Sequence, residues 1–249
     1  MIDLSKYTLR NEADEDRASL YIYGDIISDS EASLWELFGL NHGVGPTDFR
    51  KALEDVGDKP LDVFISSDGG DVPSGLSIAN MLGRRKAETV GHVDGWAASI
   101  AGVIFLACQK RLMPKNTFLM LHRPSIYNFS GNIDDMKKAM EFLENTGNTI
   151  LGFIEDRALD KDKVSTISEN YVKEHWYNAE EAAAYFDISV EPEATYQTAA
   201  KCTAYKMPDQ MLANFKAASM AATAAGKAAE EREKALAALN NSFKIIYGN

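Results

Sequence analysis

The sequence predicts an α/β fold with a mostly parallel sheet, because strand-like and helix-like segments alternate along most of the chain. Apolar runs of strand length, such as residues 61–66 and 89–93, are each followed by apolar residues at helical spacing. The turns after these runs are rich in glycine and small polar residues. At 249 residues, 45% of them hydrophobic, the chain is long enough for one such domain with an extension.

The first third of the chain supplies two strands and the helices around them. Residues 1–17 are polar and acidic, and we interpret them as an N-terminal arm. Strands are expected at 18–23 and 61–66, with a short helix at 32–38 between them. Thr47 is expected to cap a further helix that carries Phe49, Leu53 and Val56 on one side.

The middle of the chain continues the alternation. After a helix with Leu76, Ala79 and Leu82 at helical spacing, strands are expected at 89–93 and 117–121, with an apolar run at 103–108 between them. A long helix begins near Asn132, and its apolar stripe consists of Ile133, Met136, Met140, Leu143, Ile150 and Ile154. This stripe can pack within the domain or between subunits, and both interpretations remain open.

The last part of the domain contains a helix at 164–172 and a second one that begins after Asn178. Asn178 is predicted to cap this second helix, with Glu181 at the capping-box position. An edge strand is expected at 188–191. We therefore place a main domain at 18–195 and a C-terminal extension at 196–249.

The C-terminal extension differs in composition from the rest of the chain. Twelve of the 26 residues from 213 to 238 are alanine, and large apolar residues are few. Such a segment favours helix by propensity but has little to bury. It is therefore predicted to be a disordered segment, a solvated helix or an interaction segment.

Composition also bears on function. The net charge of −11 argues against a nucleic-acid partner, and there is no apolar run long enough for a membrane span. The N-terminus lacks the apolar core of a signal peptide, and the two cysteines do not suggest a disulfide framework. This cysteine usage fits a reducing, cytoplasmic setting, and we expect no membrane partner. No His or Cys cluster has metal-ligand spacing, so we expect no metal.

Ser99 lies in a turn of small residues between a strand and an apolar helix. Small neighbours allow a substrate backbone to approach the hydroxyl, and a helix N-terminus stabilises developing negative charge. These are the requirements of a nucleophilic serine. Taken alone, the same pattern is also compatible with a packed turn of small residues that has no catalytic role.

Two further turns follow strands and can meet Ser99 at the carboxyl edge of a parallel sheet. The turn at Gly69 and Gly70 can expose backbone N–H groups to an oxyanion. His122 follows the strand at 117–121 and is the best of the four histidines for a general base. A carboxylate would complete a hydrolytic triad.

These segments resemble the three signature blocks of the ClpP serine peptidases. The blocks are residues 65–72, 97–101 and 120–124, in matching order and spacing. The resemblance covers roughly residues 18 to 190 and implies a ClpP/crotonase-like spiral of β-β-α units with a long handle helix. The sequence of residues 69–72 and that of the segment around Trp176 most resemble those of the phage and prophage branch of the family, the prohead proteases.

The resemblance also implies roles for individual residues. Ser99 would be the nucleophile and His122 the general base, with Gly70 and Ile100 as oxyanion-hole donors. Asp71 and Val72 would lie on a strand that pairs with an extended substrate. At the third triad position the family has aspartate and this chain has Glu174, with Asp156, Asp160 and Asp162 as poorer candidates.

The resemblance implies an ATP-independent endopeptidase that processes scaffold or capsid proteins in phage head assembly, in the host cytoplasm or the assembling prohead. It also implies a homo-oligomeric ring, either a heptamer or a tetradecamer, and no cofactor. Two alternatives are a ClpP subunit that works with an ATPase unfoldase and an acyl-CoA hydratase or isomerase of the same fold. A third is a scaffold subunit that has lost catalysis.

Overall fold

The computed structural model describes residues 9–13, 16–37, 43–127 and 129–192. The strands of these residues are β1 (Leu9–Ala13), β2 (Ala18–Tyr23), β3 (Asp25–Ile26), β4 (Gly43–Val44), β5 (Leu61–Ser67), β6 (Thr89–Ala98), β7 (Lys110–Pro114), β8 (Phe118–Leu121), β9 (His175–Asn178) and β10 (Ser189–Glu191). The helices are α1 (Asp29–Leu37), α2 (Pro46–Val56), α3 (Val72–Gly83), α4 (Ile100–Ala107), α5 (Ile133–Glu155), α6 (Val164–Lys173) and α7 (Ala179–Tyr185).

The main sheet has the strand order β1-β2-β5-β6-β7-β10, and a branch leaves it at β6. Residues 90–92 of β6 pair with β7, whereas residues 96–98 pair with β8. Strand β9 extends the branch beyond β8. All neighbours are parallel except β1 with β2 and β8 with β9, which confirms the α/β fold with a mostly parallel sheet.

The branch places the ends of β6 and β8 side by side, which determines where the catalytic candidates meet. In β5, Leu61, Val63 and Ile65 are fully buried on one face and alternate with partly exposed residues on the other. This alternation is typical of a sheet with one face in the core. The core continues into α4, in which every residue is buried.

Helices α3 and α4 pack closely at Gly75. A Cβ atom at this position would lie 2.2 Å from Ile100 Cγ1, so no larger residue fits without a shift of one helix. Because Ile100 is the first residue of α4, this contact fixes the start of that helix against α3. Both helices begin at the carboxyl edge of the sheet.

Helix α5 is the predicted long helix. Asn132 caps it, and the Asp135 carboxylate accepts a hydrogen bond from the Asn132 amide to complete a capping box. The C-terminal half is anchored in the core through Gly147, Ile150 and Ile154. The N-terminal half of the predicted stripe is exposed, at Ile133, Met136 and Met140.

Two local expectations were wrong. Helix α2 begins at Pro46, and the Thr47 amide and hydroxyl donate to the Asp29 carboxylate, so Thr47 is not the cap. Proline is favoured in the first turn of a helix, because its missing N–H is not needed there. In addition, residues 9–13 of the predicted arm form β1. The predicted extension at 196–249 lies outside the described residues.

Candidate active site

Ser99 lies at the sharp turn between β6 and α4. Its backbone has φ 56° and ψ −126°, a conformation that only glycine adopts readily. The Ser99 amide donates to the Met120 carbonyl oxygen at 2.9 Å, which ties the turn to β8. The surrounding structure thus holds the serine in a strained conformation, as is common at catalytic sites.

His122 follows β8 and faces this serine. Its Nε2 atom lies 2.7 Å from Ser99 Oγ. With Nε2 unprotonated, the ring accepts the hydroxyl proton of the serine, which is the arrangement a general base requires. The side chain of His122 is partly buried and contributes to the lining of the pocket described below.

Glu174 supplies the carboxylate that lies nearest the Nδ1 side of His122. Its Oε2 atom lies 3.5 Å from His122 Nδ1, longer than an ordinary hydrogen bond, and its side chain is 54% exposed. Glu174 links α6 to β9 with a backbone φ of 58°. Of the poorer candidates, Asp160 instead caps the 3₁₀ turn Lys161–Lys163 through its side chain.

The turn after β5 lies directly against Ser99. A Cβ atom on Gly69, which has φ 97°, would lie 2.8 Å from Ser99 Cβ. The sequence singled out Gly69 only as part of the turn that carries Gly70, but its lack of a side chain is what allows the turn to lie against the nucleophile. Trp96 Nε1 donates to Asp68 Oδ1 at 2.5 Å and attaches the start of this turn to β6.

The candidate oxyanion hole follows from the backbone bonds of this turn. Ile26 bonds to both neighbours of Gly70, since its amide donates to the Gly69 oxygen and its oxygen accepts from the Asp71 amide, both at 2.7 Å. In a β-bridge of this kind the N–H of Gly70 points to the other side. The Ile100 N–H is at the first position of α4, where no carbonyl of the helix reaches it.

The prediction that Asp71 and Val72 lie on a substrate-pairing strand was wrong. Asp71 is the N-cap of α3, and its Oδ2 atom accepts from the Ser74 amide at 2.9 Å. Val72 is the first residue of that helix. The side chain of Asp71 favours a helix start at this point, because it satisfies a free N–H group of the first turn.

An apolar pocket opens beside the two catalytic candidates. Its walls come from α3, α4, β8, α5 and α6, and the lining residues other than Ser99 and His122 are Val72, Ile100, Val103, Leu121, Pro124, Ile150, Ile154 and Tyr171. Burial raises the pKa of Tyr171 to about 12, so its hydroxyl stays protonated. This hydroxyl donates to the Gly147 oxygen at 3.2 Å.

The other histidines within the described residues have partners of their own. His92 Nε2 lies 3.0 Å from Asp62 Oδ1, and the ring stacks on Phe64. His175 Nε2 lies 2.7 Å from Glu181 Oε1. The pairing of His175 was not predicted, because Glu181 could be interpreted from the sequence only as a capping residue.

Comparison with known proteins identifies the family of this chain. The sequence profile of the family described as Clp protease matches residues 52–186, more than half of the chain. This chain belongs to the Clp protease family. It is therefore a serine-type peptidase of the ClpP type, as the sequence blocks predicted.

Individual members of the Clp protease family are moderately similar. The chain is 31% identical over 144 residues to the ATP-dependent Clp protease proteolytic subunit 3 of Rhizobium meliloti (strain 1021), which covers 55% of this chain and 70% of that protein. It is 33% identical over 130 residues to the proteolytic subunit of Leuconostoc citreum (strain KM20), covering 51% and 64%.

A solved structure shares the fold. A point mutant of ClpP1 from Listeria monocytogenes superposes with a TM-score of 0.54 at 23% identity, covering 71% of this chain and 92% of that one. This similarity supports the ClpP-like fold. Among the described helices, none is both long and apolar enough to cross a membrane.

Proposed function

We propose that this chain is a serine endopeptidase in which Ser99 is the nucleophile, His122 the general base and Glu174 the third member of the triad. The observation that carries the proposal is the 2.7 Å contact between Ser99 Oγ and His122 Nε2 at the start of α4. Glu174 lies within ion-pair distance of His122 Nδ1 and stabilises the imidazolium that forms.

In the first chemical step, His122 Nε2 takes the hydroxyl proton while Ser99 Oγ bonds to the scissile carbonyl carbon. The carbonyl oxygen becomes an oxyanion, and the N–H groups of Gly70 and Ile100 donate to it. The C–N bond then breaks, and the departing amine receives the proton from His122. Water then attacks the acyl-enzyme with His122 again as the base, and Ser99 leaves with the proton.

The apolar pocket supports a preference for an uncharged side chain on the acyl side of the scissile bond. Its lining includes Leu121, Ile150 and Ile154 as well as Ser99. A charged side chain would lose its hydration there without gaining a partner. We infer a polypeptide substrate with an uncharged residue at this position.

For the biological role, we infer processing of scaffold or capsid proteins during phage head assembly, without ATP. The alanine-rich residues beyond 195 support this role, because they extend past the family match and offer a segment for targeting or self-cleavage. The names of the relatives favour a second candidate, a proteolytic subunit fed by an ATPase. The family assignment favours a peptidase over the acyl-CoA alternative.

The exposed N-terminal half of α5 supports assembly into a homo-oligomeric ring. Ile133 and Met140 are about 70% exposed, and Phe142 lies on the same half. Ile133, Met136 and Met140 follow one face of the helix, and a contiguous exposed apolar patch of this kind marks an interaction site.

The test compares the parent chain with Ser99→Ala and with Ser77→Ala as a matched control, since Ser77 lies on α3 and bonds to Pro73 O. Each protein is treated with a fluorophosphonate, and its intact mass is followed over time. The proposal requires labelling of the parent and the control only. Absence of labelling in the assembled parent would overturn it.

The same experiment bears on the role. Loss of C-terminal residues from the parent, but not from Ser99→Ala, would support self-processing and the head-assembly role. Cleavage of folded assembly proteins without nucleotide would support it further. Cleavage that requires an added ATPase ring and ATP would favour the second candidate.

A further inference from the structure

Glu174 is held in a backbone conformation that its own residue type disfavours. Its φ of 58° with ψ of 105° lies outside the regions that side chains with a Cβ adopt easily. Such a conformation persists only where the flanking structure imposes it. On the N-terminal side, α6 does so through the buried side chains of Ile167 and Tyr171.

On the C-terminal side, the next residue is attached by its side chain as well as its backbone. His175 pairs with Leu121 in the β8–β9 ladder, directly beside His122. Its Nε2–H donates to Glu181 Oε1 at 2.7 Å, because a carboxylate can only accept. The imidazole ring also packs against the ring of Tyr177, with 4.5 Å between the two ring centroids, and Tyr177 is fully buried.

Glu181 is diverted from the role that its position in α7 predicts. Its amide donates to Asn178 Oδ1 at 2.9 Å, which is one half of a capping box. Its carboxylate, which would complete the box, instead binds His175. Both side chains are about one-third exposed, so solvent screens this pair less than a surface pair.

We propose that His175 and Glu181 are positioning residues for the triad, acting through the backbone of Glu174. The contact attaches the first residue of β9 to the first turn of α7, so the strained residue immediately before it cannot relax. The Glu174 carboxylate is then kept within reach of His122 Nδ1. This inference rests on the proposed triad.

The expected effect is on catalysis more than on binding. Without the contact, Glu174 can turn toward an unstrained φ, and its half-exposed carboxylate moves toward water. A displacement of about 1 Å in a catalytic group can lower a rate by about 100-fold. Because the contact of Glu174 with His122 is already long, we expect a smaller loss of about tenfold.

The test uses Glu181→Ala, with Glu181→Gln as the conservative variant and Glu180→Ala as the matched control. Glu180 precedes Glu181 in the same helical turn, and its carboxylate forms an ion pair of 3.1 Å with the exposed Lys115. The fluorophosphonate labelling rate of the full chain is measured for each variant. Glu181→Ala should lose about tenfold, while Glu181→Gln, whose amide oxygen still accepts from His175, and Glu180→Ala stay near the parent.

The decisive measurement repeats Glu181→Ala in a Glu174→Ala background. If the contact acts through Glu174, the second substitution has no further effect on the labelling rate there. General damage to the fold would lower the rate by the same factor in both backgrounds, and this outcome would overturn the inference. Thermal unfolding of each variant measures such damage independently.

These outcomes separate the inference from the proposal beneath it. A parent that is not labelled, or a Glu174→Ala variant that labels at the parent rate, contradicts the triad itself. A parent that requires Glu174 but is indifferent to Glu181→Ala contradicts only the positioning role. Equal losses from Glu181→Gln and Glu181→Ala would also contradict it, since the hydrogen bond would then not be the cause.

Discussion

Gly70→Ala tests the oxyanion hole more directly than substitution of any side chain, because the proposed donor is a backbone N–H. Gly70 has φ 139°, and a Cβ atom there would lie 2.1 Å from Ile26 O, with the Ile26 C and N atoms at about 3 Å. All three atoms belong to the backbone of β3, so no side chain can rotate away. The turn must move by at least about 0.9 Å to reach an acceptable contact.

This shift has two consequences of different size. The Gly70 N–H leaves the oxyanion position, and loss of one such donor lowers the rate by about 10² to 10³, or about 2.7–4 kcal/mol in transition-state free energy. The unfavourable φ lowers the free energy of unfolding by about 1–3 kcal/mol. The loss in transition-state free energy should therefore exceed the loss in unfolding free energy, by about 1 kcal/mol between the middles of the two ranges.

The assay is the fluorophosphonate labelling rate, measured below the unfolding temperature of each variant. Gly83→Ala serves as the control, since Gly83 ends α3 and no atom of the described residues lies within 4 Å of its would-be Cβ. It should label at the parent rate. A folded Gly70→Ala protein that labels within about threefold of the parent would refute the assignment of Gly70 as a donor.

Three further predictions concern strain, pH and assembly. Ser99→Gly should unfold at a higher temperature than Ser99→Ala, by about 1–2 kcal/mol in unfolding free energy, because both lack the hydroxyl and only glycine relieves φ 56°; equal stabilities would show that the turn is unstrained. Burial raises the pKa of Cys108 from 9.0 to about 12, so as pH rises the thiol of the unfolded chain loses its proton before that of the folded protein. The free energy of unfolding should therefore fall between about pH 9 and pH 12, by about 1.4 kcal/mol per pH unit. Urea titrations at pH 8, 9 and 10 measure this slope, and a Cys108→Ala protein that retains the slope between pH 9 and 10 would contradict its source. Met140→Asp should lower the mass of the assembled particle in light scattering, because Met140 is 70% exposed on α5. The control Lys138→Asp, on the same helix but outside the apolar stripe, should leave the mass unchanged. A Met140→Asp particle of unchanged mass would show that α5 is not part of the interface.

The sequence predicted the edge of the sheet where the site lies, since Gly70, Ser99 and His122 each follow a strand. Parallel neighbours bring such positions together, and the local signals at these three positions are strong. The length of β6 was not predictable. Residues 94–98 include glycine and alanine, which have little strand propensity, and the end of β6 is extended because β8 pairs with residues 96–98.

The backbone conformation of Glu174 and the contact of Glu181 with His175 could not be predicted either, although the family resemblance pointed to Glu174 as the third triad residue. The φ of Glu174 depends on how α6 and β9 are anchored, and that anchoring comes from residues distant in the chain. The sequence around Glu181 satisfies the capping-box pattern, and nothing local indicates that His175 competes for the carboxylate. Local pattern therefore identified the candidate nucleophile and base, the family resemblance pointed to Glu174, and tertiary contacts determine how Glu174 is held.

Gly75 shows how far the requirements of the site extend from its chemistry. A Cβ atom at this position would lie between 2.2 and 3.2 Å from three side-chain atoms of Ile100. Ile100 directly follows Ser99, and its N–H is proposed to bind the oxyanion. A library of variants selected for hydrolysis would thus tolerate almost nothing at position 75. From such a selection alone, Gly75 would be mistaken for a catalytic residue, although it has no functional group.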